Sequence, residues 1–212
     1  MLNLILQEII IHNKIYHITK HFLLFLLFAL ISTAIISPPQ NVTEFGLMLS
    51  IIYIPLFLLS NNHFLLKYET HNGDLELLLT THHALTIIIA KFCALSFSLL
   101  ISLIYLLPFI IIFFTPSFLL TINFICAAIL ILLMSNALTI MIAAIQSYFQ
   151  RNNNFLSALI MPFMLPNIIL AGILINVPTQ TTLIFMMIGV NLVIIPVSLY
   201  CAQYLINNIY NI

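Results

Sequence analysis

The sequence predicts an all-α, polytopic membrane protein, and three observations carry that prediction. Of 212 residues, 63% are hydrophobic and only 5% charged, where a soluble domain is typically about 45–50% apolar and about 25% charged. A globular fold of this length has no interior for so much apolar surface, so lipid must solvate most of the chain. The apolar residues also fall into six runs, each near the roughly 20 residues that a helix needs to cross a hydrocarbon core about 30 Å thick. Finally, every lysine and arginine falls on one side of a six-span arrangement.

Taken in order, residues 1–20 come first. Leu2, Ile5, Leu6, Ile9 and Tyr16 recur at helical spacing, with Asn3, His12, Asn13 and Lys20 elsewhere. This reads as an amphipathic helix lying in the membrane interface ahead of the first span; the alternative is a frayed lead-in. A cleavable signal peptide does not fit. Glu8, His12, Lys14, His17 and Lys20 precede the first apolar run, and the chain then goes to Ser37-Pro38-Pro39 instead of a small-x-small cleavage site.

The six spans are Phe22–Ile36, Phe45–Ser60, Phe92–Phe114, Phe118–Ile145, Phe155–Ile175 and Leu183–Ile206. The first two are short and extend into flanking polar residues, with Lys20 and His21 snorkelling at one end. Only Thr115-Pro116-Ser117 separates the third run from the fourth. One helix over 92–145 would be roughly 80 Å long, so these residues form a tight turn between antiparallel spans. The whole chain, 1–212, is one transmembrane domain.

Orientation follows from lysine and arginine. Lys14 and Lys20 precede span one, Lys67 and Lys91 lie between spans two and three, and Arg151 lies between spans four and five. The loops 37–44, 115–117 and 176–182 carry none of the five positive residues and none of the seven histidines. Both termini therefore face the cytoplasm or its topological equivalent.

The one long extramembrane loop, 61–91, holds Lys67, Glu69, Asp74, Glu76 and Lys91. Within it, Asn72-Gly73-Asp74-Leu75-Glu76-Leu77-Leu78-Leu79 reads as a turn followed by a short helix. Asn72 or Asp74 can cap it, and early acids suit a helix N-terminus. Leu75, Leu78 and Leu79 share one apolar face, which either docks into a groove on a soluble partner or lies on the membrane surface. In span five, Met161-Pro162-Phe163-Met164-Leu165-Pro166 places two prolines inside a helix. Each removes a backbone hydrogen bond, so Pro162 and Pro166 mark a hinge, a cavity lining or a static kink.

Several function classes are disfavoured. No Asp, Glu, Lys or Arg lies in the middle of any span, and ion- or proton-coupled transport normally needs such groups at depth. The modest polar residues there are Ser96, Ser98 and Ser102 in span three, with Asn123, Ser135, Asn136 and Thr139 in span four. They read as glue between helices. Four glycines, Gly46, Gly73, Gly172 and Gly189, cannot build a phosphate-binding loop. His71, His82 and His83 do not make a metal or heme site, because adjacent histidines point to different faces of a helix. Cys93, Cys126 and Cys201 sit in apolar runs as small hydrophobes. With acids and bases balanced at five each, nothing steers nucleic acid. No catalytic constellation exists, so the chain is not an enzyme. The richness in Ile, Asn, Phe and Leu looks like AT-rich coding bias, of the kind found in an endosymbiont or organelle genome.

Two segments resemble the heme exporter protein B (CcmB) family, the permease-like subunit of the cytochrome c maturation ABC transporter. Asn72-Gly73-Asp74-Leu75-Glu76-Leu77-Leu78-Leu79 looks like that family's D-G-S-L-E-x-L-L stretch after span two. Leu159-Ile160-Met161-Pro162-Phe163-Met164-Leu165-Pro166-Asn167-Ile168-Ile169 is similar to its L-P-L-x-I-P-x-L-I pattern in span five. The sequence departs from the family in three places: its first acid is Asn72 here, Thr80-Thr81-His82-His83 replaces a proline-rich segment, and the segment to Lys91 is a residue short. The resemblance implies an ABC-2-type, permease-like fold and a cytoplasmic ABC ATPase subunit as partner, docked at Asn72, Gly73, Asp74, Leu75, Glu76, Leu78 and Leu79. It also implies a heme-handling membrane protein, a heme chaperone and a possible homodimer. ATP would sit on the partner subunit, and heme would be cargo rather than a cofactor of this chain. The expected location is the bacterial, or mitochondrial, inner membrane. The alternatives are an ABC-2-type exporter permease for another cargo, or a membrane assembly scaffold without a transport cycle.

Overall fold

Residues 2–14, 17–36, 42–60, 66, 73–149 and 154–210 are described by a computed structural model. Among them are eight helices and no strand: α1 (Leu2–Lys14), α2 (Ile18–Ile36), α3 (Val42–Ser60), α4 (Asp74–Thr81), α5 (Ala84–Phe114), α6 (Phe118–Phe149), α7 (Asn154–Asn176) and α8 (Thr182–Tyr210). Only a helix satisfies its own backbone hydrogen bonds along a single apolar segment, which is why composition and fold class agree here. Five of the helices, α2, α3, α5, α6 and α8, are long and apolar enough to cross a membrane. The protein is thus an all-helical, multi-pass membrane protein. The remaining long helix, α7, runs for 23 residues, and its described apolar stretch is Met161–Asn176.

Helix ends depart most from the sequence expectation at two places. The lead-in helix stops at Lys14 and α2 starts at Ile18, so Lys20 lies inside the second helix. The third span starts at Ala84 rather than Phe92, so the last part of the expected loop 61–91 is helical and Lys91 belongs to an apolar helix. Its 31 residues span about 46 Å, well beyond a hydrocarbon core of about 30 Å. The prolines Pro162 and Pro166 lie within a continuous α7, and both are exposed on its outer face.

The centre of the bundle is α6, which packs against α8, α7, α3 and α5. Small residues let neighbours approach it closely: Ala127, Ala128, Ala137, Ala143 and Ala144 are all buried. Helices α2 and α3 form an antiparallel pair that Phe22 and Phe57 close, ring centroids 5.0 Å apart. Cross-links fix the two ends of the bundle. At one end Thr43 Oγ1 donates to the Phe114 carbonyl at 3.0 Å, and Asn123 Nδ2 donates to the Pro178 carbonyl at 2.8 Å. The start of α3, the Thr115-Pro116-Ser117 turn and the loop after α7 therefore cluster there. Thr115 ends α5 in the left-handed conformation (φ 42°), which lets the chain reverse at once into α6. At the other end stand the start of α2, the short helix α4 and the start of α5. Of the charged side chains described, Glu8, Lys20, Asp74, Glu76 and Lys91 lie at this end, while Glu44 lies at the first.

Candidate functional site

The candidate site is built around α4. Gly73 sits at its N-terminus with φ 77°, a left-handed conformation that glycine adopts without strain. Asp74 is then the first helical residue, and the N-cap position, Gly73, supplies no side-chain cap. The expectation that Asp74 caps α4 is therefore corrected; Asn72 lies outside the described residues. Asp74 and Glu76 nonetheless fall in the first turn, where carboxylates favour the helix dipole. The helix closes with His82 N–H donating to the Leu78 carbonyl at 2.9 Å. His82 and His83 are extended and lead straight into α5, whose first turn forms as Thr86 N–H donates to the His83 carbonyl at 2.9 Å. The α4–α5 connection is thus a two-residue elbow.

The two faces of α4 differ. Leu75 is 1% exposed, and Leu79 packs partly buried against the same core. Leu78 is half-buried, while Asp74, Glu76, Leu77, Thr80 and Thr81 are exposed. Of the leucines that the sequence groups as a docking face (Leu75, Leu78 and Leu79), Leu75 and Leu79 therefore anchor the helix to its own protein. The outward surface is acidic with one apolar point, Leu77, at 69% exposure. His82 and His83 are exposed beside it, and among the described residues no group of three or more His, Cys, Asp or Glu could hold a metal ion.

An ion pair braces this platform. Lys91 Nζ donates to Glu8 Oε1 at 2.8 Å, and the two side chains are 1% and 4% exposed. Eleven positions further along the chain from each partner, on α2 and α5, Ser102 Oγ donates to the Thr19 carbonyl at 3.3 Å; both pairs are separated by 83 residues. Thus α1 and the start of α2 follow α5 in the same direction and register. The helix α1 turns Leu4 and Glu8 inward and leaves Leu6 and Ile10 outside. Sequence reading places Lys91 in a loop and treats Glu8 as one polar residue among several. Their partnership rests on long-range packing, and no local signal reveals it.

Deeper in the bundle lies a line of polar contacts. Asn136 Nδ2 donates to Ser96 Oγ at 2.6 Å and to the Phe92 carbonyl at 3.0 Å, tying α6 to α5. Asn167 Nδ2 donates to Asn191 Oδ1 at 2.9 Å, and Asn191 Nδ2 donates to the Leu130 carbonyl at 2.9 Å, joining α7, α8 and α6. These are the interhelical bonds expected of amides in lipid. By contrast, Ser135 and Thr139 bond back to carbonyls of their own helix and hold no neighbour. Asn167 and Asn191 were missed as glue; the signal available was an Asn in the apolar middle of each run. The cysteines Cys93, Cys126 and Cys201 are free.

No family model matches the chain. Two relatives do: an uncharacterized protein of Rickettsia conorii (RC0356) and one of Rickettsia prowazekii (RP268). Each is 38% identical over 209 residues, covering 99% of this chain and 97% of the relative. On that match, the chain belongs to one family with these two Rickettsia proteins.

Proposed function

We propose that this chain is the permease-like membrane subunit of an ABC transporter complex that serves heme delivery in c-type cytochrome biogenesis. It crosses the membrane six times, through α2, α3, α5, α6, α7 and α8, in an ABC-2-type arrangement with α1 at the cytoplasmic interface. Both termini and α4 face the cytoplasm, as the positive-inside distribution requires, in a bacterial or mitochondrial inner membrane. The observation that carries the reading is the build of α4. It is a short helix fixed to the protein by Leu75 and Leu79, and it presents Asp74, Glu76 and Leu77 outward at the end of the bundle where most of the described charge lies. Such a rigid outward helix suits a groove on a soluble partner, here an ABC ATPase subunit with basic groups around an apolar pocket. The heme assignment rests on the resemblance of 72–79 and 159–169 to the CcmB family.

In this reading the chain holds neither ATP nor heme; it converts motion of the ATPase into a rearrangement of the helices around α6. A heme-handling membrane protein and a heme chaperone complete the assembly, and the ATP-driven step releases the loaded chaperone. Depletion of the protein followed by heme staining of membranes tests this. The expected result is loss of covalently bound heme while heme still reaches the chaperone. Unchanged c-type cytochromes would leave a permease for another cargo, or a static scaffold, in its place.

A further inference from the structure

The α4–α5 elbow is only two residues long, His82 and His83, so α4 and the first turns of α5 cannot move far apart. Roughly 35 Å of helix separates Lys91 from Phe114 at 1.5 Å per residue, and Phe114 is held at the far end by Thr43. With about 30 Å of hydrocarbon to cross, Lys91 stands just outside the core, and residues 84–91 project beyond it as a lever. The element along this lever is α1, joined to it by the Glu8–Lys91 pair.

An apolar contact between two such helices can slide or roll. An ion pair at 1% and 4% exposure resists this, because displacing it separates two opposite charges that are both out of water. Burying two charges is an expensive way to gain adhesion alone, and well-packed apolar residues often do as well. What the pair adds is a fixed register between α1 and the lever. From this we infer that Glu8 and Lys91 are positioning residues: their ion pair clamps α1 to the projecting start of α5, so that movement of α4 is delivered to α1 and α2 as well as along α5. The inference rests on the proposed reading of α4 as the docking helix and adds the second route by which its motion enters the bundle.

The test uses native membranes that hold the full-length protein with its ATPase, heme chaperone and an apocytochrome acceptor, supplied with heme, magnesium and ATP, alongside purification of the protein from the same membranes. Phosphate release and covalently bound heme are read as a ratio. The variants are Glu8→Gln, Lys91→Met, the reversal Glu8→Lys with Lys91→Glu, and the apolar pair Glu8→Leu with Lys91→Met. A second readout is disulfide formation between Leu4→Cys and Ile87→Cys, one turn before each partner, with the three native cysteines replaced.

The clamp predicts single variants that accumulate and keep the ATPase but yield about fivefold less heme product per ATP, a typical size for an intersite coupling. It also predicts a weaker disulfide in them, and recovery of both readouts in the reversal. Single variants with wild-type yield per ATP overturn it. Where the single variants fail to accumulate, the apolar pair decides. Normal accumulation with wild-type yield makes the ion pair structural only and overturns the inference, whereas normal accumulation with low yield supports it. If the wild-type protein brings down no ATP hydrolysis, the docking reading itself falls and the clamp falls with it.

Discussion

Gly46 shows how much a single residue decides in this bundle. A Cβ placed on it would fall on the ring of Phe114, which is itself 1% exposed and cannot move aside. In an exposed helix, Gly→Ala gains about 1 kcal/mol. Here the clash reverses the sign, and Gly46→Ala is expected to destabilise by about 1–3 kcal/mol. Thermal unfolding in detergent checks it, with Phe114→Leu in the same chain restoring part of the loss. A glycine inside an apolar run tells the reader that something comes close, but not what comes close. Lys91 is the opposite case, a charge whose type is plain and whose environment is not. Its neighbours His82 and His83 are solvent-exposed, which makes 61–91 read as one polar loop. Which way Lys91 points depends on α1, 83 residues upstream, and no local pattern carries that.

At the scale of the element, α4 separates two roles that sequence periodicity merges. Leu75, Leu78 and Leu79 lie on one face, and an apolar face at a membrane surface can point to its own protein, to lipid or to a partner. The packing resolves this: Leu75 is buried and Leu77 is not. Leu75→Asp, which buries an unpaired carboxylate, is therefore expected to cost about 3 kcal/mol or more and to lower membrane abundance. Leu77→Asp and Glu76→Lys are expected to leave stability within about 0.5 kcal/mol of wild type, and so abundance unchanged, while lowering c-type cytochrome yield. Immunoblots of membranes alongside heme stains separate the two outcomes; equal loss of abundance in all three variants would return α4 to a purely structural role. The helices themselves were legible from length and hydropathy, because lipid leaves the backbone no alternative. Their ends were less so: Ala84 to Lys91 carries enough polar residues just upstream to look like loop, yet packing against α1 keeps it helical.

For the whole molecule, the all-helical, multi-pass class follows from the sequence, since lipid thickness sets the length of each element, and five of the six expected spans are long and apolar enough to cross a membrane. The interior was legible only in part. Asn136 does tie α6 to α5 as expected of a polar residue at depth, whereas Ser135 and Thr139 satisfy themselves locally. The choice between these roles depends on which helix lies opposite. The functional reading draws on both levels. Resemblance supplies heme and the ATPase, while packing supplies a short acidic helix on a two-residue elbow, next to a helix that a buried ion pair ties to α1.

The central claim is that α4 meets an ABC ATPase, and site-specific photo-cross-linking in native membranes tests it most directly. A photoreactive residue at Leu77 is expected to give an adduct that mass spectrometry identifies as an ATP-hydrolysing subunit, and Glu76→Lys is expected to abolish that adduct. The same probe at the buried Leu75 position should yield only contacts within this chain. Adducts from Leu77 to lipid, or to this chain alone, would contradict the account.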